Sequence, residues 1–308
     1  MNKIHEVPHK INLRNILYFE AGIGLSGNII LLLFQVLKFI RGQRLRLTDP
    51  PISLLALIHL LMMLVMSLVA SDIFMPGKRW SVSTCKFVMF LYRSFRSLSL
   101  CATSLLSILQ AITLSSRSSC LAKFKCKSPH HMLGCLLFLS IFYSSFSSPL
   151  KAYITVTPNL TSPGFTYLTQ SCCLAPMRYY VWQTFYTLLA LRDVIFVALL
   201  TISSAYMVTF LYRHKKQSQF LHSTNRSPIS SPEHRATRTI LCLMSFFVVM
   251  YTSDSVITYF RYSSSDLILY FVVILVGHSY ATVSPFLVLS TEKHVIHILK
   301  CYGRTVDI

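Results

Sequence analysis

The stretch Ser231–Ser255, SPEHRATRTILCLMSFFVVMYTSDS, decides the fold class of this chain. It begins with charged residues, continues into a long apolar run, and places Asp254 just beyond that run. A helix that lies on a soluble core needs a polar face, and this run has none. The stretch therefore predicts a helix in lipid, with basic residues at one end and an acid toward the other.

The composition favours a membrane protein over a soluble one. The chain has 308 residues, of which 53% are hydrophobic and 13% charged, and its mean hydropathy is +0.55. Soluble domains carry about a quarter charged residues. The net charge of +19 would suit a nucleic-acid-binding protein, but the basic residues form short clusters between apolar runs. That arrangement is typical of the loops of a membrane protein.

Seven apolar segments are each long enough to cross a bilayer, for which about 20 residues are needed. Lipid offers the backbone no hydrogen-bond partner, so each segment must be a helix. Unbroken runs such as LLALIHLLMMLVMSLVA exclude the alternating pattern of a membrane β-barrel. We predict an all-α, seven-transmembrane-helix bundle that forms a single domain over residues 1–308. The predicted helices cover residues 16–40, 51–70, 85–114, 132–150, 181–211, 238–260 and 267–289.

The basic residues also predict the orientation of the bundle. Lys and Arg are concentrated in the loops after spans 1, 3 and 5 and in the C-terminal tail. Short loops rich in these residues lie on the cytosolic side of a membrane. We therefore expect the N-terminus to be extracellular and the C-terminus to be cytosolic.

The predicted extracellular loop between spans 4 and 5 carries residues that are expected to be modified. Of the nine cysteines, Cys85 begins span 3 on the outer side, and Cys172 and Cys173 lie in this loop, in an oxidising environment. We expect a disulfide from Cys85 to one of these two. The sequon at Asn159 lies in the same loop and should be glycosylated, whereas the sequon at Asn225 lies in the third cytosolic loop and should be bare.

The sequence gives no sign of catalysis. It contains no glycine-rich phosphate loop, no HExxH and no GxSxG motif, and its cysteine spacings match no metal site. We therefore expect no enzymatic activity and no cofactor. A membrane transporter or channel is one possible class; a transporter often shows repeated halves, and we find no internal repeat.

Eight stretches carry a family resemblance, and they follow one another along nearly the whole chain: ILQAITLSSRSSCLAKFK (108–125), KSP (127–129), CCLAP (172–176), RDV (192–194), LYRHKKQ (211–217), SPEHRATRTIL (231–241), FFVVMYTSDS (246–255) and SYATVSPFLVLSTEK (279–293). They resemble the vomeronasal type 1 receptors, a family of G-protein-coupled receptors. The resemblance implies a chemoreceptor in the plasma membrane of vomeronasal sensory neurons. It further implies pheromone-like small molecules as ligands and a heterotrimeric G protein of the inhibitory type as partner.

The resemblance also implies which of the two loop cysteines is bonded to Cys85. Alignment through Gln170-Ser171-Cys172 implies that Cys172 is the partner of Cys85. A bitter taste receptor is the alternative among chemoreceptors, and the quoted stretches argue against it.

The chain departs from rhodopsin-like receptors at the positions that usually drive activation. His59 stands in span 2 where those receptors place a sodium-binding aspartate, and the acid-Arg-Tyr triplet at the inner end of span 3 is missing. Span 7 has Ser284-Pro285 where Asn-Pro is usual. The activation residues of rhodopsin-like receptors therefore cannot be assigned to this chain. Pro285 is the exception: a proline removes one backbone hydrogen bond and kinks a helix, so we expect a hinge there.

We expect the ligand to bind in a cup formed by the outer halves of spans 3, 5, 6 and 7. By binding one arrangement better than the other, it would shift helices 5–7 and open a cytosolic groove for the G protein. The aromatic candidates for this pocket have an alternative interpretation as residues of the membrane interface. The candidates are Phe90, Arg93, Phe185, Asp254, Tyr259, Tyr262 and Tyr270.

Charged side chains inside the spans should pair or face the bundle interior, because each costs about 2.5–3.5 kcal/mol at the centre of a membrane helix. Counted at ~1.5 Å per residue from the outer ends of their spans, Arg96 lies about 16 Å deep and Asp193 about 17 Å deep. We therefore predict an ion pair between Arg96 and Asp193. Asp254 lies about 9 Å deep and Arg93 about 12 Å deep, so we expect both at the floor of the pocket. The alternative for Asp254 is a pairing with backbone or water.

Overall fold

The computed structural model describes residues 3–42, 49–74, 79–114, 150–157, 166–221, 232–261 and 267–290, together with positions 134, 138, 141, 142 and 145. Long helices make up most of this part of the chain. The helices are α1 (Lys3–Ile40), α2 (Asp49–Phe74), α3 (Val82–Leu114), α4 (Leu150–Tyr153), α5 (Tyr179–Leu221), α6 (Pro232–Arg261) and α7 (Leu267–Leu289). The strands are β1 (Ile154–Val156), β2 (Thr166–Tyr167) and β3 (Cys172–Leu174).

The helices α1, α2, α3, α5, α6 and α7 confirm the predicted helices over 16–40, 51–70, 85–114, 181–211, 238–260 and 267–289. The helix α7 has the predicted bounds, whereas α1 begins earlier and α5 ends later than its apolar run. An apolar run marks the length in lipid, and a helix continues beyond it wherever its backbone hydrogen bonds still form. The predicted helix over 132–150 lies mostly outside the described residues.

Several helices are long and apolar enough to cross a bilayer. Among the described residues these segments are Asn12–Ile40, Asp49–Ile73, Tyr179–Phe210 and Phe271–Leu289, and α6 adds the shorter apolar segment Met244–Ile257. Large apolar side chains such as Phe19, Ile30 and Phe39 are exposed on the outside of α1. Such a surface is unfavourable in water and suits contact with lipid.

The bundle is built by neighbouring helices in close contact. The helix α1 packs against α2 and α7, α3 packs against α2 and α5, and α6 packs against α7. The methionines Met62, Met63 and Met66 of α2 are fully buried between these helices. Thioether side chains are flexible, so they fill the irregular space where several helices meet.

The contact between α1 and α7 depends on a glycine. A Cβ atom added to Gly27 would lie 2.9 Å from Pro285 Cγ and 3.0 Å from the ring of Phe286, which is closer than side chains tolerate. One residue further along, the Asn28 side chain donates a hydrogen bond of 3.0 Å to the Ala281 carbonyl. The small residue thus lets the two backbones approach, as is common between membrane helices.

A three-stranded antiparallel sheet lies at one end of the bundle, which we call the sheet end. Its strand order is β1-β3-β2, so the Cys172–Leu174 strand is central. The register pairs Ile154 with Leu174 and Val156 with Cys172. The strand β1 packs against α3, which places the sheet over the first turns of that helix.

Candidate ligand site and the polar core beneath it

A disulfide attaches the sheet to the bundle. Cys85, in the first turn of α3, is bonded to Cys172 of β3, with their Cα atoms 5.6 Å apart. The pairing implied by the family resemblance is therefore present in the structure. Cys173 is a free, buried cysteine whose Sγ lies 3.4 Å from the Val156 carbonyl. Burial raises the pKa of the Cys173 thiol, which disfavours the reactive thiolate.

A second attachment, which the sequence did not lead us to expect, is made by Asp72 at the end of α2. Its carboxylate accepts hydrogen bonds from the Ser171 backbone N–H at 2.9 Å and from the Ser171 hydroxyl at 2.5 Å. Ser171 Oγ in turn accepts a bond from the Trp80 N–H at 3.2 Å. Because Ser171 directly precedes the disulfide-bonded Cys172, the loop is held to α2 and α3 at adjacent residues. We call Asp72 and Ser171 the loop clamp.

Below the sheet, an ion pair joins α3 to α6. The guanidinium of Arg96 contacts the carboxylate of Asp254. The Asp254 side chain is 2% exposed and that of Arg96 is 21% exposed, so the cation is the accessible partner. The Arg96 guanidinium also lies over the ring of Tyr251, 5.4 Å from its centre.

The predicted pair between Arg96 and Asp193 is therefore wrong. Asp193 is bonded to its neighbour Arg192, whose Nε donates at 2.8 Å. Arg192 then reaches across to α3, where it donates to the Ser97 hydroxyl at 2.8 Å. Arg192 thus meets α3 at the residue next to Arg96, so these parts of α3 and α5 are neighbours. The direction of the side chains around each helix axis decides the partners, and it favours Asp254.

The same contact bears on Asp254, which we expected at the floor of the ligand pocket. Its Oδ2 atom contacts Arg96, and its side chain is nearly closed to solvent. Gly277 of α7 lies directly against this carboxylate, since a Cβ atom added there would lie 2.9 Å from Asp254 Oδ1 and 3.5 Å from Arg96 Nη1. The absence of a side chain at this position makes room for the ion pair.

The other pocket candidates lie between the sheet and the ion pair or beyond the described part of the chain. Phe90 is half-buried on α3, and the ammonium group of Lys151 lies over its ring, 3.3 Å from the centre. Arg93, one turn deeper, and Phe185 on α5 are also half-buried. The side chains of Tyr259 and Tyr270, all of Tyr262, and Asn159 lie outside the described residues.

A second polar cluster, the His59 network, lies deeper and joins α2, α3 and α7. The Tyr280 hydroxyl donates to Ser99 Oγ at 2.9 Å, and Ser99 Oγ lies 2.9 Å from His59 Nε2. His59 Nδ1 lies 3.0 Å from Ser284 Oγ. The four side chains are buried and satisfy one another, as buried polar groups in a membrane must. Pro285, the predicted hinge, directly follows Ser284 inside α7.

Aromatic contacts connect the ion pair to the His59 network. The rings of Tyr251 and Phe247 on α6 stack with centres 5.6 Å apart. Phe247 then meets Tyr280 edge to face at 4.7 Å, and Tyr280 meets His59 edge to face at 5.3 Å. These contacts form a continuous column of packed rings from Arg96 down to the α2–α3–α7 cluster.

Membrane-length helices, a loop bonded to the start of α3 and a buried charged core below that loop are features expected of a seven-transmembrane receptor. The comparisons with known proteins agree: the vomeronasal organ pheromone receptor family matches residues 11–301. Vomeronasal type-1 receptor 54 of Mus musculus is 62% identical over 309 residues, covering 100% of this chain and 98% of that receptor. Vomeronasal type-1 receptor 94 of Rattus norvegicus is 51% identical over 310 residues, covering 99% of this chain and 94% of that receptor.

The chain belongs to the vomeronasal organ pheromone receptor family. It is a multi-pass membrane protein of the seven-transmembrane, G-protein-coupled class and not an enzyme. Family membership also decides against the bitter taste receptor and against the transporter and channel alternatives, since the related chains are vomeronasal receptors.

Proposed function

We propose that this receptor detects pheromone-like small molecules at the plasma membrane of vomeronasal sensory neurons and activates a heterotrimeric G protein of the inhibitory type. The whole chain, residues 1–308, forms one receptor domain in this proposal, with an extracellular N-terminus and a cytosolic C-terminus. The family supplies the chemosensory class of the function. The distribution of basic residues supports the orientation, because their clusters follow spans 1, 3 and 5.

The observation that carries the proposal is the buried charge beneath a tethered loop. Ionisable side chains at membrane depth are costly and mark functional sites. Here Arg96, Asp254, Arg192 and Asp193 lie between α3, α5 and α6, on the bundle side of the disulfide-bonded loop. A ligand that enters from the sheet end would meet apolar and aromatic walls first and the accessible face of Arg96 last.

The proposed pocket uses residues of α3, α5, α6 and α7. Phe90 and Phe185 provide apolar surface, and Arg93 provides hydrogen-bond donors one turn above Arg96. Tyr259, Tyr262 and Tyr270 are proposed pocket residues on their sequence positions alone, near the end of span 6 and the start of span 7. Glycosylation at Asn159 would keep this part of the loop between spans 4 and 5 in solvent and out of the mouth of the pocket.

The proposed mechanism is a shift of population between two arrangements of the bundle. A ligand can change that equilibrium only by binding one arrangement more tightly than the other. Its contacts with α5, α6 and α7 would favour the arrangement in which the opposite ends of these helices separate from α3. Pro285 is the proposed bending point of α7, because the helix lacks one backbone hydrogen bond there.

The test is ligand-dependent nucleotide exchange with the purified receptor in lipid nanodiscs. Inhibitory-type and stimulatory-type heterotrimers would each be assayed against a panel of pheromone-like small molecules. We expect exchange only with the inhibitory type, and expect Phe185→Ala to weaken the response. Phe19→Ala, on the exposed side of α1, is the matched control and should respond as the native chain does. Ion current across lipid bilayers that contain this receptor as the only protein, without nucleotide exchange, would contradict the receptor function.

A further inference from the structure

We infer that the Arg96–Asp254 ion pair is a latch that holds α6 against α3 in the ligand-free receptor, and that Gly277 is the α7 residue that positions it. The inference rests on the proposed function, in which ligand binding moves α6. It assigns the resting constraint on that movement to three residues, one on each of α3, α6 and α7.

One side chain of α3 contacts α6 at two places in the described part of the chain. Arg96 forms the ion pair with Asp254 and also lies over the Tyr251 ring, so a single residue of α3 contacts α6 at two points one turn apart. Both α6 residues are buried, Asp254 at 1% and Tyr251 at 2% exposure. Removing the carboxylate would leave the guanidinium without its counter-charge in a low-dielectric interior, which disfavours the closed arrangement.

The neighbouring helix α5 is held to α3 by different groups. Arg192 donates to the Ser97 hydroxyl at 2.8 Å, and the Ser203 and Ser107 hydroxyls lie 2.6 Å apart further along the same two helices. Neither contact involves Asp254. Loss of the latch should therefore release α6 while α5 stays attached, which separates this inference from general loosening of the bundle.

Gly277 makes the latch sensitive to α7. A Cβ atom at this position would lie 2.9 Å from Asp254 Oδ1 and 3.5 Å from Arg96 Nη1, so a methyl group there must displace atoms at the ion pair. The position is thus a way to weaken the ion pair without changing either charge. The column of rings through Tyr251, Phe247 and Tyr280 gives a physical route from the latch to the His59 network beside Pro285.

The experiment compares ligand-free variants in nanodiscs. Asp254→Asn and Gly277→Ala should each raise basal nucleotide exchange by an inhibitory-type heterotrimer, on the order of tenfold if the active arrangement starts near one per cent. Two alanine substitutions in α1 serve as controls. Gly24→Ala introduces a comparably tight contact, 3.0 Å from Met63 and Thr282, and Gly22→Ala meets nothing within 4 Å. Both should leave basal exchange unchanged.

A double variant tests the mechanism independently of how well each single variant folds. If Gly277→Ala acts by displacing the carboxylate, it should have no added effect once Asp254 is asparagine. An equal increase from Gly277→Ala in the native and Asp254→Asn backgrounds would overturn the assignment of Gly277. Unchanged basal exchange in both single variants, with normal ligand activation, would overturn the latch and leave the proposed function standing.

A label on α6 tests the latch without depending on which G protein is used. Cys242 is exposed on α6, about 18 Å along the helix from Asp254, and accepts a trifluoromethyl label for fluorine NMR. Asp254→Asn should move population to a second resonance, whereas Gly24→Ala should not. A shifted spectrum without exchange by any heterotrimer supports the latch and overturns the proposed partner. An unshifted spectrum overturns the latch. The labelling background has serine at Cys120, Cys126, Cys135 and Cys301.

Discussion

Removal of the loop clamp gives the sharpest test of how the sheet is held over the bundle. Asp72→Ala deletes a carboxylate that accepts two hydrogen bonds from Ser171, through the backbone N–H at 2.9 Å and the hydroxyl at 2.5 Å. The neighbouring Cys85–Cys172 disulfide is unaffected, so the loop stays covalently attached. The variant therefore isolates the contribution of the hydrogen bonds.

The expected effect follows from the number and kind of bonds lost. Hydrogen bonds to a charged group contribute about 1.5–3 kcal/mol each. At about 1.4 kcal/mol per tenfold, the lower end of this range corresponds to roughly a tenfold change in the local opening equilibrium for one bond and roughly a hundredfold change for two. Because both bonds are lost, we expect the Ser171 amide to exchange about 100-fold faster or more in Asp72→Ala.

The assay is hydrogen–deuterium exchange of the receptor in nanodiscs, followed on peptides that cover residues 168–174. Asp49→Ala is the matched control, because Asp49 is a buried aspartate at the other end of α2, where it pairs with Lys38 at 3.3 Å. That variant should leave exchange in the loop unchanged. Equal exchange rates in the native receptor and in Asp72→Ala would refute the clamp, and faster exchange in Asp49→Ala would show that α2 as a whole has loosened.

The remaining predictions concern the disulfide, helix packing and glycosylation. Cys85→Ser should lower surface expression and Cys173→Ser should not, and peptide mapping that joined Cys85 to Cys173 would contradict the pairing. Gly27→Ala should destabilise the receptor by about 1–3 kcal/mol in thermal unfolding, because the methyl group overlaps α7, while Gly22→Ala in open space stays near the native midpoint. Asn159→Gln should increase mobility on a gel to that of the deglycosylated native chain; an unchanged mobility would show an unused site.

The helices were predictable because lipid leaves a chain few alternatives. A run of about 20 apolar residues must be helical in a bilayer, so the positions of α2 and α7 follow directly from hydropathy. The ends of α1 and α5 could not be predicted from hydropathy in the same way. They extend past the apolar runs, into residues whose helical conformation depends on local propensity and packing and not on the requirement to satisfy the backbone in lipid.

The loop clamp is a contact that cannot be predicted from the positions of the membrane-spanning segments. Asp72 follows the apolar run of α2, where a polar residue looks like the boundary between lipid and water. Its role depends on Ser171, which is far along the chain and lies next to Cys172, the cysteine that is bonded to Cys85. The sequence signal was present in part: an aspartate at the outer end of a span, together with a serine beside a disulfide cysteine, is a donor–acceptor match that the predicted disulfide brings together.

The same limit applies to the network around His59. Its position in the middle of α2 indicated a replaced sodium site, but not what replaces it. The structure supplies Ser99, Tyr280 and Ser284, each a neutral hydroxyl within 3.0 Å of its partner. A neutral imidazole has one donor and one acceptor nitrogen, so two hydroxyls satisfy it completely. Which hydroxyls reach the imidazole depends on how α3 and α7 are rotated about their axes. Packing between the helices sets that rotation.

The partner of Arg96 separates two kinds of positional information. Position along a helix follows from counting residues at ~1.5 Å each, and the contact between Arg192 and Ser97 joins residues to which the count gave similar levels. Rotation about the helix axis does not follow from counting. It is fixed by which apolar side chains pack into the bundle, and Asp193 consequently remains beside Arg192 on the same helix.

On α6 the apolar pattern does determine the rotation. Phe247, Tyr251 and Asp254 are spaced by four and then three residues, so they share one face of the helix. Packing of the first two rings against each other and against Tyr280 turns that face inward, and the carboxylate is carried with it to Arg96. Attraction between charges acts over a longer range than contact between rings. Even so, the contacts between rings select the ion pair, because they set the direction in which each charged side chain leaves its helix.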